Sequence, residues 1–188
     1  MKKLLFFLML LVGCISCTNQ TTEQQVLSST EAEKIITNEV DLGLSVNWAD
    51  RNLGAADTLD LGGYYPFIKS DTVSALWGNG WRKPTSAEML ELTNQCTWKH
   101  HTYIDQYRNH INGYIVTGKN GNSIFLPSAG MKIDGVIYYN GNEGMYATSN
   151  FYGSNCRTFS WNSEILFNYD LGLSEIGCSS IRPVRDKK

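Results

Sequence analysis

The chain has no long apolar segment and no concentration of basic residues. Its first apolar run, Leu4–Val12, would rise about 14 Å as a helix, roughly half the thickness of the hydrocarbon core of a bilayer. No later run approaches the length of about 18 residues that a membrane span needs. The 16 Lys and Arg residues are spread among 18 Asp and Glu residues, and this balance argues against nucleic acid as a partner.

Sequence motifs of the common catalytic classes are also missing. The chain contains no Gly-x-Ser-x-Gly, no phosphate-binding Walker loop and no dinucleotide fingerprint. The three histidines, His100, His101 and His110, have no cysteine or carboxylate at zinc-like spacing, and adjacent histidines would point apart in a strand. We therefore predict a solvated loop at these histidines, with no metal site, no cofactor and no enzymatic activity.

The N-terminus carries the pattern of an export signal. Two lysines precede the apolar run, and Leu11-Val12-Gly13-Cys14 matches the lipobox of bacterial lipoproteins. A cysteine thiol accepts diacylglycerol, and the small residue before it gives the peptidase access to the scissile bond. The sequence therefore predicts a signal peptide over 1–13 and a lipid on Cys14, with Cys17 as the alternative acceptor. An ordinary secretory signal is the competing interpretation, whereas a lipidated terminus would bind stably to the membrane.

Residues 14–38 are predicted to form a flexible tether ahead of a domain over 39–186. From Thr18 to Thr30 the chain is mostly Thr, Gln, Ser and Asn. Such a segment buries too little apolar surface to offset the entropy lost when a chain becomes ordered.

The domain contains one clear helix signal. Thr85-Ser86-Ala87-Glu88 has the spacing of a capping box directly after Pro84, and Met89, Leu90, Leu92 and Cys96 follow at helical spacing. The turn signals Lys119–Asn122, Asp134-Gly135 and Asn140–Asn142 separate short apolar segments. The predicted strands are Ser45–Asp50, Tyr114–Thr117, Ser123–Pro127, Val136–Tyr139, Met145–Ser149, Arg157–Trp161, Ile165–Tyr169 and Ser180–Val184. One or two helices with many short strands predict an α+β domain, in which a helix packs on antiparallel sheet.

Four blocks of the sequence resemble, in order, the Fibrobacter succinogenes major paralogous domain, a family abundant in Bacteroidetes lipoproteins. The blocks are Val40–Ala49 (VDLGLSVNWA), Gly80–Thr85 (GWRKPT), Ser123–Gly130 (SIFLPSAG) and Ser180–Arg185 (SIRPVR). The resemblance covers about Val40 to Asp186. It implies a C-type-lectin-like fold, with paired N- and C-terminal strands, one or two flanking helices and long loops that present a variable surface. The chain departs from the family at Tyr146–Asn150, where relatives often carry Trp-Ser-Ser-Thr.

The resemblance also bears on location. In that phylum, an acidic run behind the lipidated cysteine helps to send lipoproteins to the cell surface, and the tether lacks such a run. We therefore expect an outer-membrane lipoprotein that faces either the periplasm or the outside. Within the blocks, Trp81, Arg82, Thr85 and Arg182 are predicted to have structural roles, since a buried indole or guanidinium can hold loop carbonyls in place.

Four cysteines remain after lipidation of Cys14, and four cysteines allow three pairings. Lectin-like domains often have a disulfide in the C-terminal strand region, where Cys156 and Cys178 lie 22 residues apart. We predict that these two pair, which would stabilise the domain by about 3 kcal/mol in the chain-entropy model. Cys96 is predicted to be a buried free thiol, and Cys17 lies in the tether.

The predicted function is a non-catalytic binding or adhesion module for a glycan or a protein. Exposed aromatic and amide side chains in loops suit both ligands. The candidate ligand-binding residues are Tyr64, Tyr65, Phe67 and Trp77 in a first region, and Tyr138, Tyr139, Asn140, Tyr152 and Asn155 in a second. The alternative is a structural subunit of an envelope assembly with no small ligand.

Two further activities follow from the lectin-like resemblance. A formylglycine-generating-type oxidase, which uses a cysteine pair at a copper site, is a remote alternative, because the longer motifs of those enzymes are missing. Calcium-dependent sugar binding is not expected, since the Glu-Pro-Asn or Gln-Pro-Asp loop is absent from the sequence.

Asp57-Thr58-Leu59 and Asp71-Thr72-Val73 resemble the Bacteroidetes O-glycosylation sequon, which predicts Thr58 and Thr72 as acceptors.

Replacing Cys14 by alanine should stop acylation and leave the precursor unprocessed, because the lipid acceptor is lost. Metabolic labelling with a palmitate analogue checks this, and the control variant Cys17→Ala should keep its label. A Cys14→Ala variant that is still labelled would assign the lipid to Cys17.

Overall fold

The computed structural model of this protein describes residues 38–162, 166–169 and 177–188. The predicted signal peptide, both candidate lipid acceptors Cys14 and Cys17, and all but the last residue of the predicted tether lie outside the described residues. Within them, the chain forms two helices and fourteen short strands in four sheets. The paired strands are antiparallel, which confirms the predicted α+β class.

The elements follow one another at short intervals along the chain. The helices are α1 (Thr72–Trp77) and α2 (Ser86–Gln95), and the strands are β1 (Glu39–Val40), β2 (Val46–Ala49), β3 (Tyr65–Pro66), β4 (Trp81–Arg82), β5 (Thr97–Ile104), β6 (His110–Thr117), β7 (Ser123–Pro127), β8 (Met131–Ile133), β9 (Val136–Tyr138), β10 (Glu143–Tyr152), β11 (Asn155–Asn162), β12 (Leu166–Tyr169), β13 (Gly177–Ser179) and β14 (Val184–Asp186). Neither helix is long and apolar enough to cross a membrane.

The first sheet joins the two ends of the domain. Its strand order is β1-β2-β14-β4, and Val184 of β14 lies opposite Trp48 of β2. The other sheets have the orders β3-β13-β8-β9, β5-β6-β7 and β10-β11-β12. The sheets β5-β6-β7 and β10-β11-β12 are built from sequential hairpins, whereas the first sheet and the sheet β3-β13-β8-β9 also pair strands that are far apart in the sequence.

Helix α2 begins as the sequence predicts. The side chain of Thr85 accepts a hydrogen bond from the Glu88 backbone N–H at 3.2 Å, and the Glu88 carboxylate accepts one from the Thr85 N–H at 2.7 Å. The predicted capping box is therefore confirmed. Met89 and Leu92 are buried in the core, but Leu90 is 41% exposed, so the apolar face is narrower than predicted.

Two segments differ from the sequence-based expectation. The three histidines predicted to lie in a loop belong to strands: His110 begins β6, and in β5 the His100 ring contacts Tyr114 and the His101 ring contacts Tyr103. The predicted strand Ser180–Val184 is not formed. There the backbone is irregular, since Pro183 has no N–H to donate to a ladder.

The core is dominated by aromatic rings. Trp161 stacks on Tyr146 with ring centroids 4.9 Å apart and meets Trp98 edge to face at 5.5 Å. Trp48, Trp161 and Tyr146 are all fully buried. Tyr146, where the sequence departs from the pattern of the family that it resembles, therefore lies in the core. The Tyr146 hydroxyl donates a hydrogen bond to the Pro127 carbonyl at 2.9 Å.

The guanidinium of Arg182 is fully buried and donates three hydrogen bonds to two separate segments, residues 49–52 and β7. Its Nη1 lies 3.0 Å from the Ala49 carbonyl, its Nη2 lies 2.7 Å from the Phe125 carbonyl, and its Nε lies 2.9 Å from Oδ1 of Asn52. These contacts confirm the structural role predicted for Arg182.

The two other predicted structural residues of the second block are also explained. Trp81 is buried and meets Trp77 edge to face at 5.8 Å, with the Arg185 guanidinium 5.4 Å from its ring centroid. Arg82 forms salt bridges with Glu88 at 2.7 Å and with Asp186 at 2.6 Å. Trp81 therefore packs β4 against α1 and β14, and Arg82 connects β4 to α2 and β14.

Replacing Arg182 by methionine should lower the free energy of unfolding by at least about 3 kcal/mol, because three buried acceptors lose their donors. Urea denaturation measures this. The matched control is Arg108→Met at an exposed turn, which should change stability by no more than about 0.5 kcal/mol. Equal stability of the two variants would contradict the role assigned to Arg182.

The Glu88 carboxylate should make stability depend on acid pH. Burial raises its pKa, but hydrogen bonds from Arg82 and Thr85 more than offset this and hold the pKa below its usual value. The stabilisation is therefore fully present above the unfolded-chain pKa of about 4.3 and is lost as the pH falls through the lower folded-state pKa.

Glu88→Gln should accordingly be less stable than the natural chain at pH 7 and lose less stability between about pH 5 and pH 3. Urea midpoints measured across this range check the prediction. Arg82→Met should reduce the loss of stability between about pH 5 and pH 3 in the same way. Combining it with Glu88→Gln should reduce that loss little further. An unchanged acid profile in Glu88→Gln would show that other carboxylates control it.

Candidate functional site

A cleft of about 850 Å³ opens on the loop side of the domain. One wall is the loop 57–61, and the other is the tip of the β5–β6 hairpin, residues 104–112. The floor is formed by Ser128, Asn140 and Gly141. A cleft of this volume lies in the range typical of small-molecule sites.

The first wall is shaped by two aspartates that bind its own backbone. Oδ1 of Asp57 accepts hydrogen bonds from the N–H groups of Leu59 at 2.8 Å and Asp60 at 3.0 Å. The Asp60 carboxylate accepts from Ala56 at 2.9 Å and from Gly62 at 3.0 Å. Gly62 has a φ of +75°, and a Cβ there would lie 2.7 Å from the Leu53 carbonyl oxygen, so the loop can close only with glycine.

The second wall is a tight turn built on Asp105. Its Oδ1 accepts hydrogen bonds from the N–H groups of Tyr107 and Asn109, both at 2.8 Å, and its Oδ2 accepts one from the Asn109 amide at 2.9 Å. The Asn109 side chain and these N–H groups lower the pKa of Asp105. The turn leaves Tyr107 76% exposed and Ile104 62% exposed at the rim.

The floor is fixed by hydrogen bonds between the hairpin and the segment after β9. The Asn112 amide donates to the Gly141 carbonyl at 2.9 Å and accepts from the Thr102 hydroxyl at 2.7 Å. The Gly141 N–H donates to the Ser128 carbonyl at 2.8 Å. Floor and walls are therefore formed before any ligand arrives.

Hydrogen-bonding groups line the cleft, and exposed apolar side chains lie at its rim. Its lining combines carboxylates and amides with the exposed side chains of Tyr107 and Ile104. No group of three or more His, Cys, Asp or Glu side chains within the described residues could hold a metal ion. Fixed polar groups beside exposed apolar surface suit the recognition of a polar organic ligand.

The first predicted ligand-binding region belongs mainly to the fold. The Tyr64 hydroxyl donates to the Ala129 carbonyl at 2.5 Å, and Phe67 is buried. Tyr65 and Trp77 pack against a buried cluster that includes Leu53 and Val73, and burial raises the pKa of both Tyr64 and Tyr65. The interpretation of these four residues as a ligand surface is therefore corrected to a packing role.

The second predicted region is exposed but divided among separate places. Tyr138 and Tyr139, at 44% and 53% exposure, lie at the edge strand β9, whereas Asn140 lies on the cleft floor. Tyr152, at 75% exposure, occupies the β10–β11 tip opposite the half-buried Asn155. Of the predicted residues, only Asn140 lines the cleft.

The three cysteines in the described part of the chain, Cys96, Cys156 and Cys178, are not joined to one another. Cys156 is buried in β11, where its thiol donates to the Thr148 carbonyl at 3.4 Å, and Cys178 lies in β13 of another sheet. Both are free thiols, as is the half-buried Cys96, so the predicted Cys156–Cys178 disulfide is contradicted. Burial raises the pKa of Cys156 and keeps its thiol protonated.

The two predicted glycosylation acceptors differ in access. Thr58 is exposed in the first wall of the cleft. Thr72 is the first residue of α1, and its hydroxyl is buried without a hydrogen-bond partner among the described residues. A transferase could not reach that hydroxyl in the folded domain, so Thr72 is a poor acceptor and Thr58 stays a prediction.

Sequence reasoning missed both walls of the cleft. The signal was present, because Asp57–Gly62 and Asp105–Asn109 each contain aspartates spaced to bind backbone N–H groups two to four residues ahead. The aromatic residues that the sequence singled out, such as Tyr64 and Trp77, belong to the packing of the fold instead. The turn chemistry around Tyr107 would have indicated an exposed ring.

The comparisons with known proteins add no further assignment. Scans against protein-family models, curated proteins and solved structures find no match to this chain.

Proposed function

We propose that this chain is a non-catalytic glycan-binding module of the cell envelope, anchored by an N-terminal lipid and binding its ligand in the cleft. The observation that carries the proposal is the exposed Tyr107 ring beside fixed carboxylates and amides. Sugars present hydroxyl groups that need such partners and apolar C–H faces that pack on aromatic rings.

A C-type-lectin-like fold is part of the same proposal. Pairing of β2 with β14 supports it, since the family resemblance implies paired N- and C-terminal strands. The helix α2 beside that sheet and the loop-built cleft support it too. The family membership and the fold name rest on the four sequence blocks and on these features.

The envelope location rests on the N-terminal sequence. The lipobox at Leu11–Cys14 places the lipid at the start of the mature chain, and a tether of the predicted length would let the domain stand away from the bilayer. Partners are then the membrane, through the lipid, and a glycan met in the periplasm or outside the cell.

A role as a structural subunit of an envelope assembly is the second candidate. It is favoured by the run Val136–Tyr139, where four consecutive apolar or aromatic side chains are each at least 44% exposed at the edge strand β9. An exposed apolar sheet edge is a surface on which another chain can pair. This surface lies on a different hairpin from the cleft walls.

Replacing Tyr107 by alanine should weaken binding to a responding glycan by at least about fivefold, because a stacked aromatic contact is lost. The measurement is a glycan array probed with the lipidated full chain in detergent, followed by calorimetry on the strongest glycan. The matched control is Tyr152→Ala, which removes an equally exposed tyrosine outside the cleft and should leave affinity unchanged.

Two results would argue against the proposal. Equal losses in both variants would place the ligand elsewhere than the cleft. No binding to any glycan, together with a stable oligomer that Ile137→Lys dissociates, would favour the structural subunit.

A further inference from the structure

We infer that the cleft selects amine-bearing saccharides over neutral ones and rejects acidic ones, an inference that rests on the proposed function. The acidic side chains that line the cleft are Asp57, Asp60 and Asp105, and His110 is the one basic side chain in the lining, which contains neither lysine nor arginine. The site itself is defined by the cleft and its exposed Tyr107, and the carboxylates decide which sugars enter it.

One arginine acts on part of this charge. Arg51 forms a salt bridge with Asp50 at 3.0 Å and donates a hydrogen bond to the Ala56 carbonyl at 2.5 Å, and its attraction to the Asp57 carboxylate contributes to its raised pKa. Arg108 is exposed in the hairpin turn but does not line the cleft. Neither Asp60 nor Asp105 forms a salt bridge among the described residues, so three carboxylates against one shared arginine leave the lining net negative.

The carboxylates are also fixed in place. Asp57 and Asp105 use oxygen atoms to hold the turns of opposite walls, so neither can swing away from an approaching ligand without breaking backbone hydrogen bonds. An ammonium group between the walls would gain charge-assisted hydrogen bonds. A uronate, sulfate or phosphate group would be repelled by the like charge of the three carboxylates.

Asp57 allows the charge to be removed without losing the turn. Both of its backbone hydrogen bonds go to Oδ1, and its Oδ2 accepts none from the described residues. Asparagine keeps Oδ1 and replaces only the second oxygen. Asp57→Asn therefore tests charge at constant loop shape, which Asp60 does not allow because both of its oxygens bind backbone N–H groups.

The test uses three β-1,4-linked hexamers with one backbone geometry: glucosamine hexamer, cellohexaose and glucuronate hexamer. They are printed on the array beside neutral, amino and acidic glycans of other linkages, and the full lipidated chain is the probe. We expect glucosamine-type ligands to bind at least about tenfold more tightly than acidic ones at low salt, with neutral ones between. The difference should shrink at 1 M salt, where the screening length is about 3 Å.

Asp57→Asn should reduce the preference for amino over acidic glycans by at least about threefold. The matched control is Asp134→Asn in the exposed β8–β9 turn, which changes net charge equally and should keep the preference. An equal effect of both variants would assign the preference to the overall charge of the protein and overturn the inference.

The two proposals fail in different ways. Acidic glycans that bind as tightly as neutral ones would overturn the charge selectivity and leave the glycan-binding function standing. Absence of binding to all hexamers and to every other glycan on the array would overturn both.

Discussion

The buried guanidinium of Arg182 is the interaction on which the arrangement of this domain depends. It holds the carbonyl of Ala49 at the end of β2 and that of Phe125 in β7, and it orients Asn52. The Asn52 amide in turn donates to the Leu61 carbonyl in the first wall of the cleft at 2.8 Å. A planar guanidinium with five donors can hydrogen-bond to separate chain segments at once and fix their orientation. Hydrophobic contacts are not directional and would orient these segments less strictly. The wall of the cleft is therefore connected to the centre of the core.

Tyr146 connects the same core to the cleft floor. Its hydroxyl accepts from Asn52 at 3.2 Å and donates to the Pro127 carbonyl, next to Ser128 of the floor. Burial raises the pKa of Tyr146 to about 12, so this donor stays protonated throughout the physiological range. A buried network satisfied in this way fixes both wall and floor, and the site is shaped by residues that a ligand never touches.

The sequence predicted local structure better than long-range arrangement. The capping box at Thr85 and the hairpin turn at Asp134-Gly135 are decided by neighbouring residues, and both are present in the structure. The cleft joins loops more than 40 residues apart, so no spacing rule could bring Asp57 and Asp105 together. The free Cys156 shows the same limit, because sequence separation does not reveal which sheet a strand enters.

The turns that shape the cleft walls are held by hydrogen bonds that span no more than four residues, from Asp57, Asp60 and Asp105. The turn within each wall is thus encoded by its own aspartates, while hydrogen bonds such as Asn52 to the Leu61 carbonyl attach the first wall to the core. Side chains that face outward, such as Tyr107 and Gln106, can change without disturbing these bonds or the aromatic core. In evolutionary terms, the rim of the cleft can vary by small steps, whereas the aspartates of its walls are constrained because the turns depend on them.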